Sequence, residues 1–270
     1  KMMILFSATT ALTLAACGGN NSSSSSTSTE AGTAKTKYAS EVTHEGTPIK
    51  GGTLKYAIVS SSPFSGIFAD ELSQVTTDST IGGLIDESMF EYDENRKLTN
   101  TGLASIEFDV ENKTATVTLN SKEYKWSDGQ PVTIDDYIFA YQAIGNKDYT
   151  GVRYDGDFKN VVGMEEYHNG KADSVSGLEK VDNYTVKIHF KEMSPSMQLA
   201  GGSVSAYIMP KHIFKDIPEA EWEQSDYVRG KKFVGLGQFK IDSIVAGESV
   251  TLVPNEHYYK GVAKVDKVVM

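Results

Sequence analysis

From Thr114 the chain alternates polar and apolar positions: Thr114, Thr116 and Thr118 are interleaved with Ala115, Val117 and Leu119. A period of two predicts a strand with one apolar face. The period then changes. Lys125-Trp126-Ser127-Asp128-Gly129 places an aromatic before tight-turn residues. Thr133 is followed three positions later by Asp136, the spacing of a helix capping box. Ile134, Tyr137, Ile138, Tyr141 and Ile144 recur at helical spacing, and Gly145 supplies a stop. The pattern predicts a strand, a Trp-bearing turn and a capped helix, with no catalytic group among them. Similar reasoning predicts strands over 53–59, 175–178 and 184–190. It predicts helices over 74–90, weakened by Gly82-Gly83, and over 160–169. A hairpin is expected from 239–245 and 250–253 around residues 246–249, and an apolar strand begins at 265–270.

The order Lys-Trp-Ser-Asp-Gly-x-Pro-Val-Thr-x-x-Asp-Tyr-x-Phe, from Lys125 to Phe139, resembles the signature of the extracellular solute-binding proteins of family 5. These are the oligopeptide-binding type of the ABC importers. Other stretches resemble the family in collinear order. They include Gly51-Gly52-x-Leu54 opening a strand, the run from Val162 through Gly177 to Val186, and Met209-Pro210-Lys211. They continue with Gly235-Leu236-Gly237-Gln238-Phe239 and with Pro254-Asn255-x-x-Tyr258-Tyr259-Lys260-Gly261. Gln238 stands where the family usually has Pro, which leaves the turn possible but less rigid.

The resemblance implies an α/β chain of the type II periplasmic-binding fold, in which two lobes close about a hinge. Family members are considerably longer chains, so residues 51–270 are expected to be the N-terminal lobe, truncated at the C-terminus and lacking the second lobe. The main sheet would come from about 51–74 and 201–270, with a smaller α+β subdomain at about 75–200. By the same resemblance the loop Ser60, Ser61, Ser62 and Phe64 would border the ligand cleft. Tyr149 or Tyr154 would contribute an aromatic to it, and Ser203, Ser205 and Tyr207 could face it. Each has a plainer role open to it: turn residues, a surface aromatic, or a loop that caps the next helix. Trp126, Ser127, Asp128 and Gly129 are the family signature itself.

Residues 2–16 are apolar and small, preceded by Lys1, and too few to span a bilayer as a mature helix. They read as the apolar region of a secretory signal, so 1–16 is expected to be a signal peptide. Leu14-Ala15-Ala16-Cys17 resembles a bacterial lipobox, which implies lipidation of Cys17 and a membrane anchor; ordinary secretion with a chance cysteine is the alternative. Residues 17–50 begin with a Gly/Asn/Ser/Thr-rich stretch that cannot bury a core, and a flexible tether is expected there.

Composition narrows the function. The 270 residues carry a net charge of −10, with 39% hydrophobic residues, 14 Tyr and 11 Phe. A packed core is affordable, and no Lys/Arg cluster marks a nucleic-acid surface. The single cysteine allows neither an internal disulfide nor a thiolate metal site. Gly235-x-Gly237 lacks the third glycine and the strand-to-helix context of a dinucleotide site. The five histidines are isolated, and no Gly-x-Ser-x-Gly elbow exists. Asp135-Asp136 and Glu165-Glu166 are adjacent on the chain, and neighbours on a helix do not face one another.

The function implied is therefore capture of extracellular oligopeptides for an ABC permease, by a monomeric lipoprotein without cofactor, metal or chemistry of its own. A Gram-positive surface is expected, or the periplasm of a Gram-negative cell. A lone N-terminal lobe is expected to bind peptide poorly and to leave an apolar face uncovered. The alternatives are another family-5 solute (nickel, a sugar or a pheromone) or a lipid-anchored hydrolase or adhesin.

Overall fold

The computed structural model describes residues 46–47, 50–199 and 204–270. Cys17 and the signal and lipobox residues lie outside them, as does Ser203. Pro48–Met270 forms one compact unit. Its strands fall into two four-stranded sheets. The first has the order β1-β8-β7-β6, from β1 (Thr53–Lys55), β6 (Phe239–Val245), β7 (Ser249–Pro254) and β8 (Lys267–Val269). The second has the order β2-β3-β5-β4, from β2 (Ala104–Asp109), β3 (Thr114–Leu119), β4 (Leu178–Lys180) and β5 (Thr185–His189).

The second sheet is wholly antiparallel, with Val117 opposite Ile106 on one side and Val186 on the other. Ala115, Val117, Val186 and Ile188 are fully buried, so one face of the sheet is core and the other wet, as alternation requires. In the first sheet β1 runs parallel to β8, pairing Leu54 with Val268, while β6, β7 and β8 are antiparallel neighbours. Gly51 and Gly52 have φ of +90° and +86°. That left-handed backbone suits glycine and lets both amides bond back, to the Lys264 carbonyl and to Asp266 Oδ2.

The helix predicted after the Trp turn is α2 (Ile134–Gly145), following α1 (Thr76–Ile85). Asp136 Oδ2 accepts the Thr133 amide at 2.9 Å, the carboxylate half of the capping box. Helix α2 is shared between two cores. Ile134, Tyr137, Tyr141 and Ile144 join the cluster over the second sheet. Ala140 and Ala143 join the cluster of Ile81, Ile85, Ile241 and Leu252 over the first.

Several elements are shorter than their sequence pattern. The 53–59 strand pairs only over Thr53–Lys55, because β8 offers three partners. The 74–90 helix is α1 alone: Asp86 leaves the helix with φ −133° and turns toward Leu236. Of the helix expected at 160–169 only the single turn α4 (Met164–His168) forms, entered through Gly163 at φ +77°; another single turn, α3 (Gly156–Lys159), lies before it. The strand expected at 175–178 is displaced to β4. Further short turns are α5 (Lys211–Phe214) and α6 (Asp226–Arg229).

Candidate ligand cleft

A concavity forms where the 204–208 segment packs on α2. Tyr137 and Tyr141 sit one turn apart on α2 with ring centroids 5.3 Å apart. Tyr137 donates its hydroxyl to the Ser205 carbonyl at 2.6 Å, and Tyr141 accepts the Ser205 amide at 2.9 Å. Burial keeps both phenols neutral, pushing Tyr141 up to about 12. The segment is tied on its other side by the Met89 amide, which bonds the Ala206 carbonyl at 2.9 Å. Beside this clamp lies a cavity of about 410 Å³ lined by Ser88, Tyr92, Arg153, Asp155, Phe158, Ser205 and Tyr207, among others.

A second cavity, about 240 Å³, shares Ser88, Ala206 and Tyr207 with the first and is bordered by Asp70, Glu71, Asp86 and Glu87. Arg153 stands beside both. Its Nε and Nη2 donate to the Asp70 carbonyl at 3.2 and 3.1 Å, and Nη2 also reaches the Ser73 carbonyl at 3.1 Å. The guanidinium also lies over the Tyr207 ring, 5.5 Å from its centroid. Asp86 Oδ1 accepts the Leu236 and Glu87 amides at 3.1 and 2.9 Å, yet burial pushes its carboxyl up to about 7. Burial, reinforced by Asp86, raises Glu71 well above the carboxylate range, and burial raises Asp70 too.

Of the residues singled out from sequence, Ser205 and Tyr207 meet at the cavities. The Ser205 hydroxyl accepts the Tyr207 amide at 3.2 Å, so it shapes the loop as well as lining it. Tyr149 and Tyr154 line neither cavity. Tyr149 donates to the Glu71 carbonyl behind the smaller one, and Tyr154 stacks on His168 at 3.9 Å. Ser60, Ser61 and Ser62 are exposed; Ser60 Oγ accepts from Thr77 Oγ1 at 3.1 Å. Phe64 packs on Phe68 with centroids 6.1 Å apart.

The Trp-Ser-Asp-Gly signature lies in neither cavity, and its contacts are structural. Trp126 is fully buried. The Ser127 amide donates to the Gly235 carbonyl at 3.0 Å, and its hydroxyl accepts the Gly235 amide at 3.3 Å. Asp128 Oδ2 meets His212 Nε2 at 2.8 Å. Gly129 takes φ +87°, and a Cβ there would lie 3.2 Å from His257. Gly235-x-Gly237, rejected as a dinucleotide site, is a close approach to α1: a Cβ on Gly235 would lie 2.2 Å from the Ile85 carbonyl oxygen.

Arg153, Asp70, Glu71, Asp86 and Glu87 were not picked from the sequence. Two adjacent acidic pairs bracketing α1 were the available signal. Among the described residues no group of three or more His, Cys, Asp or Glu is placed to hold a metal ion. None of their helices is long and apolar enough to cross a membrane.

Comparison with known proteins agrees with this architecture. Residues 100–270 match the family model described as bacterial extracellular solute-binding proteins, family 5 Middle. The chain belongs to this family. The family-5 chain is 36% identical over 215 residues to the oligopeptide-binding protein OppA of Lactococcus lactis subsp. lactis, a match covering 77% of it and 36% of OppA. It is 29% identical over 147 residues to the oligopeptide-binding protein AppA of Bacillus subtilis, covering 54% of this chain and 24% of AppA. The structure of lactococcal OppA complexed with an endogenous peptide in the closed conformation superposes with a TM-score of 0.75 at 36% identity, over 81% of this chain and 41% of that one. Bacillus subtilis AppA in complex with a nonapeptide gives 0.67 at 26% identity, over 83% and 40%. The family-5 chain thus spans about two fifths of the solved relatives, and its α/β fold is that of periplasmic binding proteins. These relatives are solute-binding proteins of extracellular type rather than enzymes.

Proposed function

We propose that this chain is the N-terminal lobe of a peptide-binding protein that serves an ABC importer, and that it supplies one wall of the peptide cleft. The observation that carries this is the superposition on lactococcal OppA holding a peptide, TM-score 0.75 at 36% identity. The paired cavities at Tyr207 would be part of that wall, a concave surface with polar groups at its margin. Affinity would come from main-chain hydrogen bonds to an extended peptide, which are indifferent to side-chain identity. Closure against an opposing lobe would complete the site.

The finer features belong to the same proposal. Residues 1–16 would direct secretion, 17–50 would tether, and Cys17 would carry the lipid that holds the monomer at the outer face of the membrane beside its permease. Stable anchoring takes more than one acyl chain. The smaller subdomain would be residues 75–200. No chemistry is assigned to the chain, because capture for transport requires release of the ligand intact.

Incubation of the full-length, two-lobed protein with a defined mixture of peptides, followed by extraction and mass spectrometry, tests the reading. Intact peptides enriched over a heat-denatured control are expected. Cleavage products accumulating with time would overturn it in favour of a hydrolase.

A further inference from the structure

Residues 69–73 make one hydrogen-bonded turn: the Leu72 and Ser73 amides both donate to the Ala69 carbonyl, at 3.0 and 2.8 Å. A turn that is not continued leaves its next carbonyls without helical partners. Two side chains from the loop after α2 take them. The Tyr149 hydroxyl donates to the Glu71 carbonyl. Arg153 directs Nε and Nη2 to the Asp70 carbonyl, and Nη2 also to that of Ser73. The Arg153 amide donates to the Tyr149 hydroxyl at 3.3 Å, which joins the two residues to each other. Gly151 lies between them in the chain, and a Cβ there would stand 2.9 Å from the Glu71 carbonyl oxygen. The loop and the turn are therefore in close contact.

The guanidinium so fixed lies over the Tyr207 ring, 5.5 Å from its centroid. Tyr207 is the one bulky side chain that borders both cavities, which otherwise share Ser88 and Ala206. Its amide is tied to the Ser205 hydroxyl, and Ser205 is held by the two α2 tyrosines. The Tyr207 hydroxyl makes no hydrogen bond among the described residues, so the ring is oriented by Arg153 and by packing. A planar guanidinium engaged at two carbonyls is a rigid platform for such a ring. Lysine offers the charge without the planar fork.

We propose that Arg153 is a positioning residue for peptide capture: fixed to the 69–73 turn, it holds the Tyr207 ring in place on the cavity wall before the peptide arrives. This rests on the peptide-binding reading above. A ring already ordered in the free protein loses no freedom on binding, whereas ordering one side chain on association weakens affinity by up to about tenfold.

The test is calorimetric titration of the full-length, two-lobed protein with a nonapeptide of alternating leucine and serine, with free termini, and with the same peptide amidated at its C-terminus. Arg153→Gln is expected to weaken binding of both about tenfold. In a Tyr207→Leu background the same substitution should change affinity by less than about twofold, because the ring it positions is gone. That coupling is the decisive readout, since a role confined to holding the fold together would weaken binding equally in both backgrounds. Arg153→Lys should behave as Arg153→Gln does, and it carries the same cycle should the glutamine variant fail to fold. Additive losses overturn the inference. So does full affinity in Arg153→Lys, which would show that charge alone suffices. A loss confined to the free-acid peptide also overturns it and assigns Arg153 a direct contact with the peptide carboxylate. Binding by the unsubstituted protein with no loss in Arg153→Gln overturns this inference alone; if the unsubstituted protein binds neither peptide, the capture reading fails and the inference falls with it.

Discussion

Asp86 gives the molecule a pH response whose direction can be worked out. Its carboxyl titrates near 7 in the folded protein because burial disfavours the charge; in the unfolded chain an aspartate titrates near 3.9. Between those values the folded state holds a proton that the unfolded state has released. Stability therefore falls as pH rises from about 4 to about 7. Glu71 acts in the same direction. Glu91 and Glu256, held low by Lys260 and Lys240, act oppositely, but they are surface pairs of small worth. The melting temperature should be higher at pH 5 than at pH 8, and Asp86→Asn, which can still accept from the Leu236 amide, should flatten the difference. A wild-type melting temperature that rises from pH 5 to pH 8 would refute this. The residues behind the effect were hard to see in the sequence. Charged side chains read as solvated wherever periodicity is the guide, and Asp70-Glu71 and Asp86-Glu87 border one cavity only after α1 and the chain before it have folded. Ser205 and Tyr207 were visible because a resemblance covered their segment. Arg153 had no such aid.

The elements that the sequence marked most clearly are those whose core face is continuous. β3 with Ala115, Val117 and Leu119, α2 with its Tyr137–Tyr141 stripe, and the β6–β7 hairpin all form where the pattern places them. Boundaries shifted where a distant segment decides them. Helix α1 ends at Ile85 because the Gly235-Leu236-Gly237 turn lies against that end and takes its backbone bonds: the Gly237 amide donates to the Ile85 carbonyl at 3.1 Å. No window around 74–90 contains that information. The same contact fixes what residue 237 can be. A Cβ there would stand 2.4 Å from the Ile85 carbonyl carbon and 2.5 Å from the Asp86 amide nitrogen, both backbone atoms. Gly237→Ala should therefore lower stability by about 3 kcal/mol, the upper end of ordinary overpacking costs, seen as a lower denaturant midpoint with unchanged slope. A change below about 0.5 kcal/mol, the size of an ordinary surface substitution, would mean the turn is not held against α1.

Across the whole molecule, the first sheet leaves an apolar groove of about 560 Å³ open, lined by Leu54, Tyr56, Leu84, Phe239, Val268 and Met270, among others. Leu54 is 53% exposed. A groove of this kind invites self-association, and β1, paired on one side only among the described residues, adds a strand edge. Leu54→Lys should raise the concentration at which the protein stays monodisperse in light scattering, while moving the melting temperature little. Unchanged scattering would show that the groove is not what limits solubility.

Helix α2 carries Tyr137 and Tyr141 into one core and Ala140 and Ala143 into the other. Neither sheet owns its floor. Gene recombination between relatives is constrained accordingly: a crossover within 134–145 would splice one parent's helix onto surroundings inherited from the other, and both layers would mismatch together. Viable chimeras should take this helix and its two neighbourhoods from a single parent.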